Sequence, residues 1–284
     1  MREREKYGRA GWLLLLLLLA LAAIWGQTSL RQAVGPQASL PTYGAAFGLA
    51  AGTDYAWPKR LGADSEAVFA WRHYQKQLAE AAAEIKVGIY CTHSSESYTS
   101  FSGQAKVYGE QGGVYRAAAV LESSLNAEGI GTVVSETIHD WPDWNKSYAN
   151  SLATAEGLLA AYPQLRVLID LHRDAGVSRE ASVCEINGKK AARIMLVCGS
   201  AQRYDNDNWQ KNEAFMQRLA AKMEELYPGL LRRVSVQAGR YNQHIFDHAI
   251  LVEMGSTENH IDEVEYSASL LAEVLRQTLA EEAN

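Results

Sequence analysis

Three apolar segments of the sequence are each followed or interrupted by side chains that can bind metal ions or transfer protons. The segment that ends at Cys91 is followed by a His-x-x-Glu pair, His93 and Glu96. His172 ends a second segment, and Glu253 lies inside a third. Two imidazoles and one carboxylate, with water at the fourth position, form a typical catalytic zinc site. Zinc lowers the pKa of its water to about 7, and a further carboxylate must then carry the water's proton.

This pattern predicts His93, Glu96 and His172 as the zinc ligands and leaves Glu253 as the general base and acid. The His-x-x-Glu spacing lets both of its side chains turn back onto one ion just beyond a strand. Glu253 is informative because an unpaired carboxylate is costly to bury in an apolar strand. The alternative to a ligand role for each histidine is a purely structural one, either at the surface or hydrogen-bonded in the core.

Polar residues close to these four could support them. Asp170 and Asp174 could orient His172 through its second ring nitrogen. Arg173 or Arg240 could hold a substrate carboxylate or polarise a carbonyl group. The sequence alone does not choose between the two members of either pair.

A second polar and aromatic cluster lies between two predicted elements. His139 and Asp140 are followed by Trp141, Trp144 and Tyr148. One interpretation is a loop that packs over the sheet and caps the next helix. The other is a wall that contacts substrate, since aromatic rings suit sugar faces and peptide stems. Both interpretations stay open at this point.

Rival chemistries have less support. A Cys91 thiol nucleophile would need His93 on the same face and a third group to orient it. A serine hydrolase that uses His172 would need a G-x-S-x-G motif, which the sequence lacks. The Gly112-Gly113 pair has no Lys-Ser/Thr successor, so the sequence does not predict a phosphate-binding loop.

The elements that must position these residues alternate along the chain. Apolar runs predict strands at 86–91, 131–137, 165–172 and 248–255, and helical patterns cover 114–128, 147–162 and 209–227. A last helix is predicted from Ile261, Val264, Ala268, Leu271 and Leu275, which share one face. An Asn187-Gly188 pair predicts a hairpin. The alternation predicts an α/β fold whose mostly parallel sheet has helices on both faces, with the site at the carboxyl ends of the strands.

The N-terminal region reads as a membrane anchor. Residues Trp12 to Ala20 read WLLLLLLLA, and basic residues precede the run, which favours a cytoplasmic N-terminus and an extracytoplasmic remainder. We expect a cytoplasmic tail at 1–9, an uncleaved transmembrane signal anchor at 10–26, a stem with a helix at 27–85 and a catalytic domain at 86–284. Cleavage after Ala22 or Ala23 is the alternative.

Composition narrows the class of protein. The chain has 284 residues, of which 48% are hydrophobic and 21% charged, and a formal net charge of -6. These values exclude a disordered or collagen-like chain, and the acidic balance argues against nucleic-acid binding. With three cysteines, at least one thiol stays unpaired. Cys184 and Cys198 flank the predicted hairpin, and a disulfide between them stays an open possibility.

The strings that carry these residues resemble the stage II sporulation protein P family of peptidoglycan hydrolases. The matching strings are VGIYCTHSSESY, ETIHDWPDWNKSYANSL, VLIDLHRDA, NWQKNEAFMQRLA, GRYNQ and AILVEMGS, in the family's order between residues 86 and 279. The resemblance implies a fold like that of zinc amidases and zinc carboxypeptidases, whose His-x-x-Glu, His and Glu arrangement matches His93, Glu96, His172 and Glu253. Cys91 departs from the family pattern, in which histidine is expected.

The resemblance also implies activity, cofactor and partners. It implies a Zn²⁺-dependent N-acetylmuramoyl-L-alanine amidase that also cleaves stem-peptide cross-links in peptidoglycan. The implied partners are stage II sporulation proteins D and M, and the implied setting is remodelling of the septal wall at the cell membrane during engulfment. Two alternatives remain: a non-catalytic scaffold that binds the wall, and a zinc carboxypeptidase that trims stem peptides.

Overall fold

A computed structural model describes residues 84–282 of the chain. The expected cytoplasmic tail, membrane anchor and stem, with its helix, lie outside these residues. Within residues 84–282, no helix is both long enough and apolar enough to cross a bilayer.

Strands and helices alternate along most of the described chain. The strands are β1 (Ile85–Tyr90), β2 (Gly131–Val134), β3 (Val167–Asp174), β4 (Val183–Ile186), β5 (Lys189–Ala192), β6 (Ile194–Gly199), β7 (Leu231–Gln237) and β8 (Ala249–Ser256). The helices are α1 (Thr99–Ser102), α2 (Val114–Ala127), α3 (Ser147–Ala161), α4 (Arg179–Ser182), α5 (Trp209–Leu226) and α6 (Ile261–Glu281), with 3-10 turns at Trp144–Lys146 and Gln243–Ile245. The strands and helices predicted within residues 84–282 are confirmed, although β2 ends at Val134 and not at residue 137. The hairpin turn falls at Asn187-Gly188 between β4 and β5.

Six strands form the main sheet, in the order β2-β1-β3-β8-β6-β7. The four strands from β2 to β8 run parallel, while β6 pairs antiparallel with β8 and parallel with β7. The expected α/β fold with a mostly parallel sheet is therefore confirmed. Sequence patterns did not predict β6 and β7, which extend the sheet in the opposite direction beyond β8.

Helices cover both faces of this sheet, as predicted. Leu121 of α2, Phe215 of α5 and Leu271 of α6 belong to one buried apolar cluster with the sheet. On the other face, Leu158 of α3 packs with Leu168 of β3. Three helices thus lie against one face, and α3 lies against the other.

Alternation along β3 separates apolar from polar side chains. Ile169 and Leu171 belong to the large apolar cluster. Asp170 and His172 point to the opposite face, where the ring of His172 stacks on that of Tyr148 from α3. The same strand therefore completes the core on one side and supplies reactive groups on the other.

The first turn of α6 is held by a buried charge network. The Glu263 carboxylate accepts hydrogen bonds from the Asn259 side chain and the His260 backbone N–H, both at 3.0 Å. Arg179 of α4 donates to the same carboxylate, with Nη1 2.6 Å from Oε2. Burial alone would raise the pKa of Glu263, but the hydrogen bonds from Arg179, Asn259 and His260 outweigh it and lower that pKa to about 2.

We expect Glu263→Gln to lower the free energy of unfolding by about 2 kcal/mol at pH 7. The full pKa shift overstates the effect, because the Arg179 side chain is 26% exposed and solvent screens the pair. The carboxylate has its lower pKa in the folded state, so its stabilisation is complete above the unfolded value and declines as the pH falls toward about 2. Urea unfolding at several pH values measures this, and the difference between the two proteins should shrink from pH 5 to pH 3.

The matched control is Glu265→Gln on the same helix. Glu265 pairs with Arg116, whose side chain is 55% exposed, so we expect a change below about 0.5 kcal/mol. Equal effects of the two substitutions at pH 7 would contradict a special role for the Glu263 network.

Candidate active site

The four residues with the strongest predicted roles lie together at one edge of the sheet. His172 of β3 and Glu253 of β8 are partners in register across the two strands. The loop that follows β1 brings His93 beside them, with 5.0 Å between the ring centres of His93 and His172. Oε2 of Glu96 lies 3.5 Å from Nδ1 of His172. Because β1, β3 and β8 are parallel neighbours, their carboxyl ends meet at this edge.

The backbone of the loop after β1 places the His-x-x-Glu pair. The N–H of Glu96 donates to the carbonyl oxygen of His93 at 3.0 Å, which closes a turn. Gly112 approaches this turn so closely that a Cβ there would lie 2.0 Å from the carbonyl oxygen of Glu96. Gly112 belongs to the glycine pair that the sequence does not support as a phosphate-binding loop. In the structure, the absence of a side chain at Gly112 lets the backbone pack closely against Glu96.

Asp170 is placed to orient His172. Its Oδ1 lies 2.9 Å from Nε2 of His172, in an ion-pair contact whose angle falls short of a hydrogen bond. Asp170 is held by the N–H and hydroxyl of Thr92, at 2.8 and 2.7 Å. Burial alone would lower the pKa of His172, but Asp170 and Glu96 outweigh it and raise that pKa well above its usual value. Nδ1 of His172 is left to face Glu96.

Asp174, the other residue predicted to orient His172, has different partners. Its carboxylate pairs with Arg232 of β7 and accepts a hydrogen bond from the N–H of Ala175. Asp170 and Asp174 thus have distinct environments that the sequence did not distinguish.

Arg173 is buried and holds the loop that carries Glu96. Its Nε donates to the carbonyl of Ser97 at 2.9 Å, and Nη2 donates to the carbonyl of Ala105 at 2.6 Å. Nη1 lies 3.5 Å from Oε1 of Glu96. Of the two arginines considered for substrate, Arg173 is thus engaged by the protein, whereas Arg240 lies exposed on the loop after β7.

His139 and Asp140 brace the same loop from the other side. Nδ1 of His139 lies 2.8 Å from the carbonyl oxygen of Cys91, to which it donates. Oδ2 of Asp140 accepts from the N–H and the hydroxyl of Ser95, at 2.9 and 2.6 Å. Both residues are buried, which favours the packed-loop interpretation for them. Trp141, the next residue, is 46% exposed.

Cys91 lies on the core side of the site. It belongs to the large apolar cluster, and burial together with the charge of Asp170 raises the pKa of its thiol well above the usual value. A thiolate nucleophile at this position is therefore disfavoured. The three cysteines are all free, so Cys184 and Cys198 form no disulfide.

Burial shapes the acid-base properties of the other site residues. Burial raises the pKa of Glu253 to about 7, with a further rise from Glu96 and a partial offset from His172. Burial and the positive charge of His172 lower the pKa of His93 to about 4. For Glu96, hydrogen bonding and charge from His172 and charge from Arg173 outweigh burial and lower the pKa.

The donor atoms at this edge fit zinc by type. Among residues 84–282, no three His, Cys, Asp or Glu side chains already surround a point that could hold a metal ion. Nδ1 of His93 and Oε2 of Glu253 are nevertheless buried without a hydrogen-bond partner there. The ring of His93 lies 5.0 Å from that of His172, which pairs with Glu96, and two imidazoles with one carboxylate match the preference of zinc. The residues that would hold the ion are His93, Glu96 and His172.

Two residues of this site were missed by sequence reasoning. The ammonium group of Lys106 lies 3.2 Å from the ring centre of Trp144, and no motif marks Lys106. Asn242 donates to the carbonyl of Tyr148 and the hydroxyl of Ser151, at 2.9 and 3.0 Å. The only feature of the sequence that draws attention to Asn242 is its place in the GRYNQ string.

Solved structures of two amidases resemble this chain, with low sequence identity and low TM-scores. An N-acetylmuramoyl-L-alanine amidase of Nostoc punctiforme is 12% identical, with a TM-score of 0.44, over 70% of this chain and 97% of that chain. A second one, from Clostridium difficile 630, is 18% identical, with a TM-score of 0.43, over 69% of this chain and 95% of that chain.

Sequence comparison identifies the family. The stage II sporulation protein P of Bacillus subtilis (strain 168) is 28% identical over 206 residues, which cover 67% of this chain and 50% of the relative. The chain thus spans about half the length of the curated relative that it matches. The family model for stage II sporulation protein P matches residues 61–276. This match covers most of the sequence, and the chain therefore belongs to the stage II sporulation protein P family.

Proposed function

We propose that the chain is a zinc-dependent peptidoglycan hydrolase that cleaves the N-acetylmuramoyl-L-alanine amide and stem-peptide cross-links. The observation that carries this proposal is the convergence of His93, Glu96 and His172 beside Glu253, whose Oε2 is buried. Membership of the stage II sporulation protein P family supports peptidoglycan as the substrate. The catalytic domain would comprise residues 86–284.

Each residue of the site has a distinct role in this proposal. When bound, zinc supplies Lewis acidity and a water of lowered pKa. Glu253 accepts the proton of the water that attacks the amide carbonyl and passes it to the leaving amine. Its pKa of about 7 suits both directions of transfer near neutral pH. Asp170 orients His172, and Arg173 holds Glu96.

The family and the N-terminal sequence support a proposal for the cellular setting. We propose that residues 10–26 anchor the protein in the cell membrane as a single-pass helix, with the N-terminus in the cytoplasm and the catalytic domain outside. Stage II sporulation proteins D and M are the proposed partners, and septal wall remodelling during engulfment is the proposed process. An anchor would keep the hydrolase beside the polymer that it cuts.

Removal of zinc should abolish hydrolysis by the purified full-length chain, and zinc should restore it. The reason is that His93, Glu96 and His172 would hold the ion needed to activate water. Release of soluble fragments from purified sacculi measures turnover, and elemental analysis measures bound metal. Calcium and magnesium serve as controls, because they prefer oxygen ligands and should not restore turnover. Full activity of demonstrably metal-free protein would contradict the proposal.

A further inference from the structure

The ring of His93 is held by other rings and not by hydrogen bonds to its nitrogens within the described residues. Metal-binding histidines are almost always oriented by a hydrogen bond from the ring nitrogen that does not bind the metal. Neither ring nitrogen of His93 has a hydrogen-bond partner among the described residues, and Nδ1 is buried. Whichever nitrogen binds the metal, the other one therefore lacks this support. Three rings surround it instead. Trp144 stacks at 3.9 Å with 3° between the planes, while Tyr148 and His172 meet it edge-on at 5.5 and 5.0 Å.

Trp144 is itself fixed by its neighbours. The Lys106 ammonium lies 3.2 Å from its ring centre, a cation–π contact. The ring of Tyr108 meets Trp144 edge-on at 6.4 Å. Trp144 lies on a 3-10 turn in which no residue is fully buried, so its contacts serve the site edge and not the apolar core. The loop that carries Lys106 and the turn that carries Trp144 therefore meet over His93.

We propose that Trp144 is a positioning residue that fixes the ring plane of His93 for zinc binding, with its stack in place of the usual hydrogen bond. This inference rests on the proposed zinc site. An aromatic stack restricts rotation of the imidazole about its χ2 angle by contact with the face of the ring. A hydrogen bond would restrict the same rotation by holding a nitrogen at the edge of the ring. Zinc affinity should therefore depend on a flat ring at position 144 and not on apolar volume alone.

The first test measures the zinc affinity of the full-length chain by competition with a chromogenic chelator. We expect Trp144→Ala and Trp144→Leu to weaken zinc binding about 10-fold to 100-fold, the range seen when the support of a metal ligand is removed. Trp144→Phe should stay within about 3-fold of the wild type, because it keeps an aromatic face. Trp141→Ala is the matched control, since the neighbouring Trp141 ring packs over Gly109, and its zinc affinity should be unchanged.

Two results would overturn the inference. Wild-type zinc affinity in both Trp144→Ala and Trp144→Leu would show that the stack does not position His93. Equal weakening in Trp144→Phe and Trp144→Ala would show that the aromatic face is not what matters. If the wild type itself fails to bind zinc, the proposed function is contradicted. If the wild type binds zinc and the Trp144 variants bind it equally well, only the positioning role of Trp144 is contradicted.

A second readout does not require zinc or activity. In the metal-free full-length chain, the ring current of Trp144 should shift the imidazole proton signals of His93 in NMR spectra. Trp144→Leu should remove this shift and broaden the signals, whereas Trp144→Phe should keep a smaller shift. Sharp, unshifted imidazole signals in the wild type would contradict the stack.

Discussion

Glu253→Gln should lower the turnover of peptidoglycan by about 1,000-fold or more while zinc stays bound. General acid-base catalysis contributes about 100-fold to 10,000-fold to the rate, and the amide of glutamine cannot accept the proton of water. Oε2 of Glu253 is buried without a hydrogen-bond partner among the described residues. A substitution that keeps the shape should therefore leave the fold and the neighbouring side chains in place.

The experiment compares turnover on purified sacculi with zinc content for each protein. Glu258→Gln is the matched control, because Glu258 lies five residues further along the chain and is exposed, and it should retain full activity. Turnover at the wild-type level in Glu253→Gln would contradict its role as base and acid. Loss of zinc in that variant would instead make Glu253 a ligand and would reopen the assignment of Glu96.

His172→Ala should abolish zinc binding and turnover together. His172 supplies one of three proposed ligands, and its Nδ1 lies 3.5 Å from Glu96, another of the three. Asp170→Asn should have a smaller effect, with zinc affinity reduced about 10-fold to 100-fold, because Asp170 acts on the metal through His172. Equilibrium dialysis with elemental analysis measures both variants.

The control for Asp170→Asn is Asp247→Asn. Asp247 pairs with Lys211, and both side chains are largely exposed, so this change should leave zinc affinity unaltered. Full activity of metal-loaded or metal-free His172→Ala would contradict the proposed ligand set. Equal losses of zinc affinity in His172→Ala and Asp170→Asn would indicate that the two residues act as one unit.

Much of the fold could be predicted from the sequence, because apolar periodicity reports which faces of each element are buried. Strands β1, β3 and β8 read as apolar runs, and α2, α3 and α5 end within one residue of their predicted bounds. Strands β6 and β7 escaped prediction for physical reasons. β7 is an edge strand that carries Arg232 and Arg233, and the antiparallel pairing of β6 with β8 depends on contacts distant in sequence.

The types of residue at the site were predictable, whereas their contacts were less so. His172 could be predicted from a polar residue at the end of one apolar segment, and Glu253 from a carboxylate inside another. Arg173 could have been assigned to the opposite face from His172, because neighbouring side chains on a strand alternate. Nothing local predicts that Trp144 stacks on His93 or that Lys106 contacts Trp144, since these residues meet only when separate loops fold over the sheet.

The central claim is tested most directly by mass spectrometry of the fragments that the purified full-length chain releases from sacculi. The account predicts peptides with a free amino-terminal alanine and glycan strands whose lactyl groups end in free carboxylates. Cleaved stem-peptide cross-links should accompany them. Glycan strands that keep their stem peptides, with only the peptide ends trimmed, would contradict the amidase and indicate a carboxypeptidase. Binding to sacculi with no release of fragments would contradict hydrolysis altogether.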